Sequence, residues 1–188
     1  MADRQIVVVD VETTGLDHED HFAVEVAWWN LDTDVFGVFV PPHSWHDAMV
    51  RADLEALRVN RYVDRLADAE QDLSGAAGRE LWQQLNGNTF AGCNPAFDAG
   101  FVRKMYDEVY DEDLGGMFGP PDWHHRLLDL SAYAAGVLGL PWHTLPGLGQ
   151  VCALLDVEHV DPHTAFGDVT ATVACFRALR QRQAVGDG

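Results

Sequence analysis

Near its amino terminus the chain carries Ile6-Val7-Val8-Val9, four consecutive β-branched apolar residues. A strand that is apolar at successive positions is usually buried on both faces, which requires layers packed on either side of its sheet. This run therefore predicts a strand inside a sheet that is flanked by helices.

The segments that follow predict further strands of that sheet. Residues 22–31 and 35–40 have strand composition and are separated by Asp32-Thr33-Asp34, which is typical of an antiparallel hairpin. Pro41-Pro42 ends the second arm. Two short strands are predicted at 89–93 and 126–130, with a loop rich in Gly, Pro and Asp at 111–125.

Apolar spacing predicts helices between and after these strands, at 47–66, 74–85, 97–109, 131–138, 145–155 and 165–181. Ser74 is the expected N-cap of the second. Hairpin strands followed by strand–helix units predict an α/β fold. In it, a mixed central sheet, with N-terminal antiparallel hairpin strands plus parallel strands, is flanked by helices.

The length of 188 residues predicts a single domain at 1–183, with 184–188 as a frayed tail. There is no apolar run of about 20 residues and no signal-peptide pattern, so we expect a cytoplasmic protein with no membrane partner. Cys93, Cys152 and Cys175 are widely spaced and odd in number, which predicts buried free thiols rather than a disulfide framework.

The net charge of −18, from 30 acidic and 12 basic residues, disfavours a polyanionic partner. Seven of the bases fall in two stretches, at 51–65 and 177–182. If residues 51–65 form one helix, Arg51, Arg58 and Arg65 share a face, which is either a binding stripe or an ordinary solvated face.

Two carboxylates end the first strand. Asp10 and Glu12 lie two residues apart, so the period of a strand places both side chains on one face. Adjacent carboxylates repel each other unless a cation lies between them, and Mg²⁺ prefers oxygen ligands of this kind. A solvated strand end is the other interpretation of this pair alone.

Two more acidic residues, Asp98 and Asp168, fall in the first turns of predicted helices. For Asp98, stabilisation of the helix dipole is a sufficient structural explanation. His163 follows Pro162 just before the last helix, so we expect it on a loop that can move over a site. Taken alone, His163 is an ordinary polar surface residue.

Taken in order, these segments resemble the three motifs of the DEDDh 3′→5′ exonucleases, a family that includes polymerase proofreading subunits, ribonuclease T and oligoribonuclease. The resemblance rests on Asp10-x-Glu12 before Thr-Thr-Gly, on Asn94-x-x-Phe97-Asp98, and on His163 and Asp168 with four residues between them. Segments 24–27 and 128–130 resemble further strands of the family, so the similarity covers residues 5–180. Each motif is weak alone, but the ordered set is specific.

The resemblance implies an RNase H-like fold and two divalent cations, Mg²⁺ or Mn²⁺. It implies that Asp10 bridges both cations, that Glu12 and Asp168 complete one site, and that Asp98 holds the second through water. His163 is the implied general base, since an imidazole titrates near neutral pH. The implied reaction hydrolyses terminal phosphodiester bonds of single-stranded DNA or RNA to nucleoside 5′-monophosphates.

Four further positions, Thr13, Thr14, Gly15 and Leu16, match family residues that contact the terminal nucleotide. Phe97 is expected to line the same pocket, and Asn94 completes the expected substrate-binding residues. Gly15 lets the backbone approach the substrate closely, and Leu16 is placed to wedge against the last base. Core packing is the alternative for Leu16 and Phe97.

The implied partners are single-stranded or frayed 3′ ends, together with a polymerase or another replication protein, in DNA replication or repair. Bound cations would offset part of the acidic charge, so we expect weak, salt-sensitive binding of strand ends. Two other functions stay open: an oligoribonuclease-like enzyme acting on short RNA, and an inactive binding subunit of a replication complex.

Overall fold

The computed structural model describes residues 4–110, 119–141 and 143–186. In these ranges the strands are β1 (Ile6–Thr13), β2 (Ala23–Asn30), β3 (Phe36–Phe39), β4 (Thr89–Gly92) and β5 (Leu128–Asp129). The helices are α1 (Trp45–Arg51), α2 (Leu54–Val59), α3 (Tyr62–Arg65), α4 (Ala76–Leu85), α5 (Pro95–Met105), α6 (Leu130–Leu138), α7 (Leu148–Leu155) and α8 (Ala165–Gly186). A π-helical segment, Tyr106–Tyr110, continues α5.

The five strands form a sheet in the order β3-β2-β1-β4-β5. β1 pairs antiparallel with β2, and β2 pairs antiparallel with β3. β2 and β3 are the strands of the predicted hairpin. On its other side β1 pairs in parallel with β4, which pairs in parallel with β5. The prediction of an α/β fold with a mixed sheet is confirmed, and β1 lies at its centre.

Helices cover both faces of β1, as the apolar run predicts. Val7 and Val9 pack in the cluster that contains residues of α4 and α5, among them Phe101. Val8 points to the opposite face and packs with residues of α6, α7 and α8, among them Val169. A smaller cluster joins Val24 of β2 to α2 and α3. Because side chains alternate along β1, Asp10 and Glu12 lie on the same face as Val8, towards α8.

The prediction of one helix at 47–66 is wrong, because the segment contains α1, α2 and α3. The carboxylate of Asp53 accepts the N–H of Glu55 at 2.8 Å and starts a new helix there. Asn60 ends that helix, and Arg61 has a left-handed backbone with φ 55°. The face that Arg51, Arg58 and Arg65 would share on one helix therefore does not exist.

Several predicted boundaries also shift. α4 begins after Gly75, whose φ is 67°, so Ser74 is not its N-cap residue. Ser74 Oγ still accepts the N–H of Ala76 at 3.2 Å, and the carboxylate of Asp72 accepts the N–H groups of both Ala76 and Gly78. The strand predicted at 126–130 shortens to two residues, because Asp129 accepts the N–H of Ala132 and caps α6.

At the carboxyl end α8 extends to Gly186, so residues 184–186 are helical rather than frayed, and 187–188 lie outside the described residues. Residues 111–118 of the predicted loop also lie outside them. Cys152 and Cys175 are buried free thiols as predicted, whereas Cys93 is only half-buried. Among the described helices, none is both long and apolar enough to cross a membrane.

Candidate active site

Three carboxylates meet where β1 passes α8. Asp10 and Glu12 project from β1, and Asp168 projects from the first turn of α8. One carboxylate oxygen from each residue lies within 4.8 Å of the others. The period of β1 and the packing of α8 on the face of Val8 together bring these three residues to one point.

Asp98 approaches the same strand from α5. That helix begins after Asn94, which has a left-handed backbone with φ 66°, and Pro95 occupies its first position. The side chain of Asp98 is only 3% exposed, and one of its oxygens accepts the N–H of Val11 at 3.1 Å. Asp98 is therefore fixed against β1 between Asp10 and Glu12, although it is outside the group of three.

The electrostatics of the cluster favour a bound cation. Burial raises the pKa of Glu12 to about 8, and the carboxylate of Asp168 adds to the rise. Burial also raises the pKa of Asp98 to about 8. For Asp10, burial raises the pKa well above its ordinary value, and the carboxylates of Asp98, Asp168 and Glu12 raise it further. These groups repel each other when ionised, and a divalent ion would relieve that repulsion.

Two histidines lie on the loop that precedes α8, and they differ in their contacts. His163 is exposed, has a left-handed backbone with φ 62°, and its backbone N–H donates to Asp168 Oδ1 at 3.3 Å. The ring of His159 contacts that oxygen directly, with Nε2 at 2.6 Å. The structure thus places the backbone of His163, and the ring of His159, against Asp168.

The start of α8 is held by three sets of hydrogen bonds. Thr164 caps the helix, because its Oγ1 accepts the N–H of Gly167 at 3.0 Å. The N–H of Ala165 donates to Glu25 Oε2 of β2 at 2.9 Å. The N–H of Asp168 donates to the backbone oxygen of Thr164 at 2.9 Å. These bonds orient the helix turn that carries Asp168.

Gly167 allows the loop at 157–164, which carries His159 and His163, to pack closely against the start of α8. A Cβ at this position would lie 2.3 Å from the backbone oxygen of Asp161 and 2.6 Å from that of Val160. No side chain fits at such distances without displacing backbone. Glycine is therefore required for close approach between the loop and the residue that precedes Asp168.

Thr13 and Thr14, predicted to bind substrate, are buried and make internal bonds. Thr13 Oγ1 donates to the backbone oxygen of Gly15 at 2.7 Å, and Thr14 Oγ1 accepts the N–H of Phe22 at 3.0 Å. A Cβ on Gly15 would lie 2.3 Å from the ring of His21, so the close neighbour of this glycine is a side chain of the same loop. In this structure these three residues shape the loop after β1.

The other three predicted substrate residues differ in exposure. Leu16 is 78% exposed, so the alternative of core packing is excluded for it. Asn94 is also exposed, at the start of α5. Phe97 is half-buried and packs on Phe101 with ring centroids 4.9 Å apart, which places most of it in the core.

Sequence analysis missed three residues that contact the site or support it: Glu25, His159 and Gly167. His159 and His163 form an H-x-x-x-H pattern on one loop, which is a weak signal that was available. Gly167, a glycine inside the helix predicted at 165–181 and directly before Asp168, was a second weak signal. Glu25 is 140 residues from its partner Ala165, and local patterns carry no such information.

The donor set fits a hard divalent ion. Carboxylate oxygens are the ligands that Mg²⁺ and Mn²⁺ take in proteins, and the three clustered groups are partly accessible. The three grouped ligands are all carboxylates. Asp10, Glu12 and Asp168 can therefore hold a cation.

Comparison with known proteins shows the family of this chain. A family model described as exonuclease (RNase T) matches residues 7–176. The 3′-5′ exonuclease DinG of Staphylococcus saprophyticus is 26% identical over 118 residues, which is 58% of this chain and 12% of DinG.

Solved structures show the same fold. Exonuclease I of E. coli in complex with a dT13 oligonucleotide has a TM-score of 0.69 at 20% identity, over 97% of this chain and 42% of that one. An ExoI/SSB-Ct complex has a TM-score of 0.67 at 20% identity, with the same coverage. The RNase H-like fold is therefore confirmed, in a chain that spans less than half of these relatives. Since the family model matches most of its length, the chain belongs to the exonuclease family.

Proposed function

We propose that this chain is a metal-dependent 3′→5′ exonuclease that removes nucleoside 5′-monophosphates from the end of single-stranded DNA or RNA. The observation that carries the proposal is the convergence of Asp10, Glu12 and Asp168 in a chain of the exonuclease family. We include residues 1–183 in one exonuclease domain.

Asp10, Glu12 and Asp168, with Asp98 behind them, would hold two divalent cations. Cations bound there would lower the pKa of a water and offset the charge that develops on the leaving oxygen. The raised pKa values of Glu12 and Asp98 fit this role, because a bound cation favours the ionised carboxylates and displaces their protons.

His163 is the proposed general base. Its exposed ring lies on an irregular loop whose backbone is already bonded to Asp168, so the ring can turn towards a substrate without loss of that bond. A neutral imidazole there would accept a proton from the attacking water. His159 would hold Asp168 from the other side through its ring.

The proposed substrate is a strand end rather than a long duplex. The net charge of −18 repels polyanions, so contact with few phosphates is favoured over contact with many. The dT13 complex of E. coli exonuclease I supports a single strand as substrate. The exposed Leu16 is placed to contact the last base.

The proposed protein partner belongs to DNA replication or repair. The ExoI/SSB-Ct complex supports a partner of that kind, since it joins a protein of this fold to another protein's segment. A polymerase is the second candidate, by resemblance to proofreading subunits.

The deciding experiment is a 5′-labelled single strand incubated with Mg²⁺ or Mn²⁺. We expect a ladder that shortens from the 3′ end and mononucleotide products, and no hydrolysis with chelator. DNA and RNA strands of several lengths in the same assay separate the proposal from an oligoribonuclease-like enzyme, which would act only on short RNA. A strand that binds but remains intact with both metals would instead support the inactive binding subunit.

A further inference from the structure

One partly buried ion pair touches the helix that carries Asp168. Glu25 of β2 is 8% exposed, and the guanidinium of Arg65 donates to both of its oxygens. Nη2 lies 2.9 Å from Oε2, and Nη1 lies 3.2 Å from Oε1. The same Oε2 accepts the N–H of Ala165, the first residue of α8, at 2.9 Å. Glu25 therefore joins β2, α3 and α8 at one carboxylate.

The pair is also tied to the end of β1. Arg65 Nε donates to the backbone oxygen of Asn60 at 3.1 Å. Asn60 Nδ2 in turn donates to the backbone oxygen of Thr13 at 2.9 Å. A continuous set of bonds thus runs from the residue after Glu12, through Arg65 and Glu25, to the residue three before Asp168.

Stability alone does not explain this arrangement. Glu25 is buried whereas Arg65 is partly exposed, so the cost of taking the carboxylate out of water offsets much of what this ion pair contributes to stability. α8 also has its own cap, because Thr164 already accepts a first-turn N–H. What Arg65 adds is direction, since its planar fork holds a carboxylate in one orientation.

We propose that Glu25 and Arg65 are positioning residues that set the place of Asp168 against Asp10 and Glu12. Glu25 lies opposite Glu12 in the pairing of β1 with β2. Its bond to the N–H of Ala165 therefore fixes the distance between β1 and the start of α8. The link acts on the geometry of the cation site, and neither residue contacts the reacting atoms. The inference rests on the proposed function for its kinetic readout, and on the carboxylate cluster for its binding readout.

The test compares Glu25→Gln, Arg65→Met and the double variant with wild type. Outer-shell partners of metal ligands are commonly worth about 10–100-fold in affinity or activity. We expect each single variant to lower kcat on a 5′-labelled dT strand by about that factor, and to weaken Mn²⁺ binding measured by calorimetry without substrate. KM for the strand should change little, because the residues proposed to contact it are untouched.

Two features make this result specific. The charge of Glu25 raises the pKa of Glu12 and that of Arg65 lowers it, so the two single variants shift the local field in opposite directions. A decrease in kcat in both identifies the lost link rather than the field. The double variant should be no worse than the poorer single one, because either change already breaks the two-bond contact between Arg65 and Glu25.

The exposed pair Glu55–Arg58 is the matched control, also a Glu–Arg contact at 3.2 Å and in α2 of the same region. Glu55→Gln and Arg58→Met should leave kcat and Mn²⁺ affinity at wild-type values. Arg65→Lys should restore only part of the activity, since an ammonium lacks the fork.

The double variant leaves no unpaired buried charge, so it should fold even where a single variant does not. If it folds, as circular dichroism would show, and has wild-type kcat and Mn²⁺ affinity, the pair is only structural and the proposal is overturned. If wild type binds no Mn²⁺, the proposed cation site fails and this inference fails with it. Wild-type binding with unchanged variants removes the inference alone.

Discussion

The end of β1 and the loop before α8 both supply groups to the site, but they are held in different ways. Asp10 and Glu12 belong to a strand that pairs with β2 as far as Thr13. The loop at 157–164 has no regular structure, and both Asp161 and His163 have positive φ. The strand can hold charge at fixed positions, whereas the loop depends on individual contacts. That difference suits cation ligands in the first region and a moving proton acceptor in the second.

Replacing one proposed cation ligand is the most direct test of the carboxylate cluster. Asp10→Asn or Asp168→Asn should lower kcat by about 10³-fold or more, because bound cations contribute several kcal/mol to the transition state. Without metal, each variant should be at least as stable as metal-free wild type, since the substitution removes one charge from a repulsive cluster. Hydrolysis assays and thermal unfolding measure the two effects. Full activity in either variant would contradict the site.

The two histidines of the loop before α8, His163 and His159, are expected to have different roles. His163→Ala should lower kcat by about 10²–10⁴-fold, as loss of a general base does, and higher pH should partly restore the rate. Mn²⁺ affinity should remain near wild type, because all four carboxylates are intact. The rate of wild type should fall at low pH, where a protonated imidazole cannot accept a proton.

His159→Ala should behave differently, because its ring bonds to Asp168. We expect a smaller loss of kcat, about 10–100-fold, together with weaker Mn²⁺ binding. Parallel measurements of kcat, Mn²⁺ affinity and pH profile compare the two variants. If His159→Ala loses the more activity and the low-pH limb changes in that variant, the two roles are exchanged and the assignment of His163 is wrong.

Gly167 tests the contact between the loop and α8. Gly167→Ala forces a Cβ against the backbone oxygens of Val160 and Asp161, so the loop must move away from Asp168. We expect kcat to fall by about 10-fold or more, as for loss of an outer-shell contact. Gly136 of α6 is the control, since a Cβ there meets nothing within 4 Å. Gly136→Ala should stabilise the protein by about 0.5–1 kcal/mol with unchanged kcat.

The raised pKa values predict how pH acts on the metal-free protein. The pKa of Glu12 is about 8, against an ordinary 4.5, so between these values the folded state binds more protons than the unfolded state. The contribution of Glu12 to the free energy of unfolding is therefore fully present below about pH 4.5 and is lost as pH rises through about 8. The melting temperature without metal should fall from pH 5 to pH 8.

Added Mg²⁺ or Mn²⁺ should raise the melting temperature more at pH 8 than at pH 5, because protons compete for the same oxygens. Asp168→Asn serves as control, since it removes a charge that raises the pKa of Glu12. The melting temperature of Asp168→Asn should depend less on pH. If the melting temperatures of wild type and the variant changed equally with pH, the pH dependence would not come from the carboxylate cluster.

The same contrast explains what could be predicted from sequence. The apolar run of β1 and the alternation that places Asp10 beside Glu12 are local patterns, and the structure follows both. The helix predicted at 47–66 fails because apolar spacing does not register the cap at Asp53 or the left-handed Arg61. β5 shortens for a similar reason, since Asp129 is used as a helix cap.

The contacts around α8 could not be predicted because they join distant segments. Glu25 and Ala165 are 140 residues apart, and their bond depends on how β2 and α8 pack. The contact of His159 with Asp168 spans only nine residues, yet it follows from a loop path that Gly167 permits. The family pattern contains His163 and has no place for His159, so the resemblance directs attention to one histidine of two.

Leu16 offers the smallest expected effect and tests whether the loop after β1 contacts substrate at all. Its side chain is 78% exposed, so Leu16→Ala removes no core contact and should leave the melting temperature unchanged. If Leu16 packs against the terminal base, part of its apolar surface is buried only in the complex. That contact is worth about 1 kcal/mol, or about fivefold in KM for a single strand, with kcat little changed. Leu73, equally exposed on the loop before α4, is the control, and Leu73→Ala should alter neither constant. Equal KM values for wild type and Leu16→Ala would remove Leu16 from the substrate site and leave the carboxylates untouched.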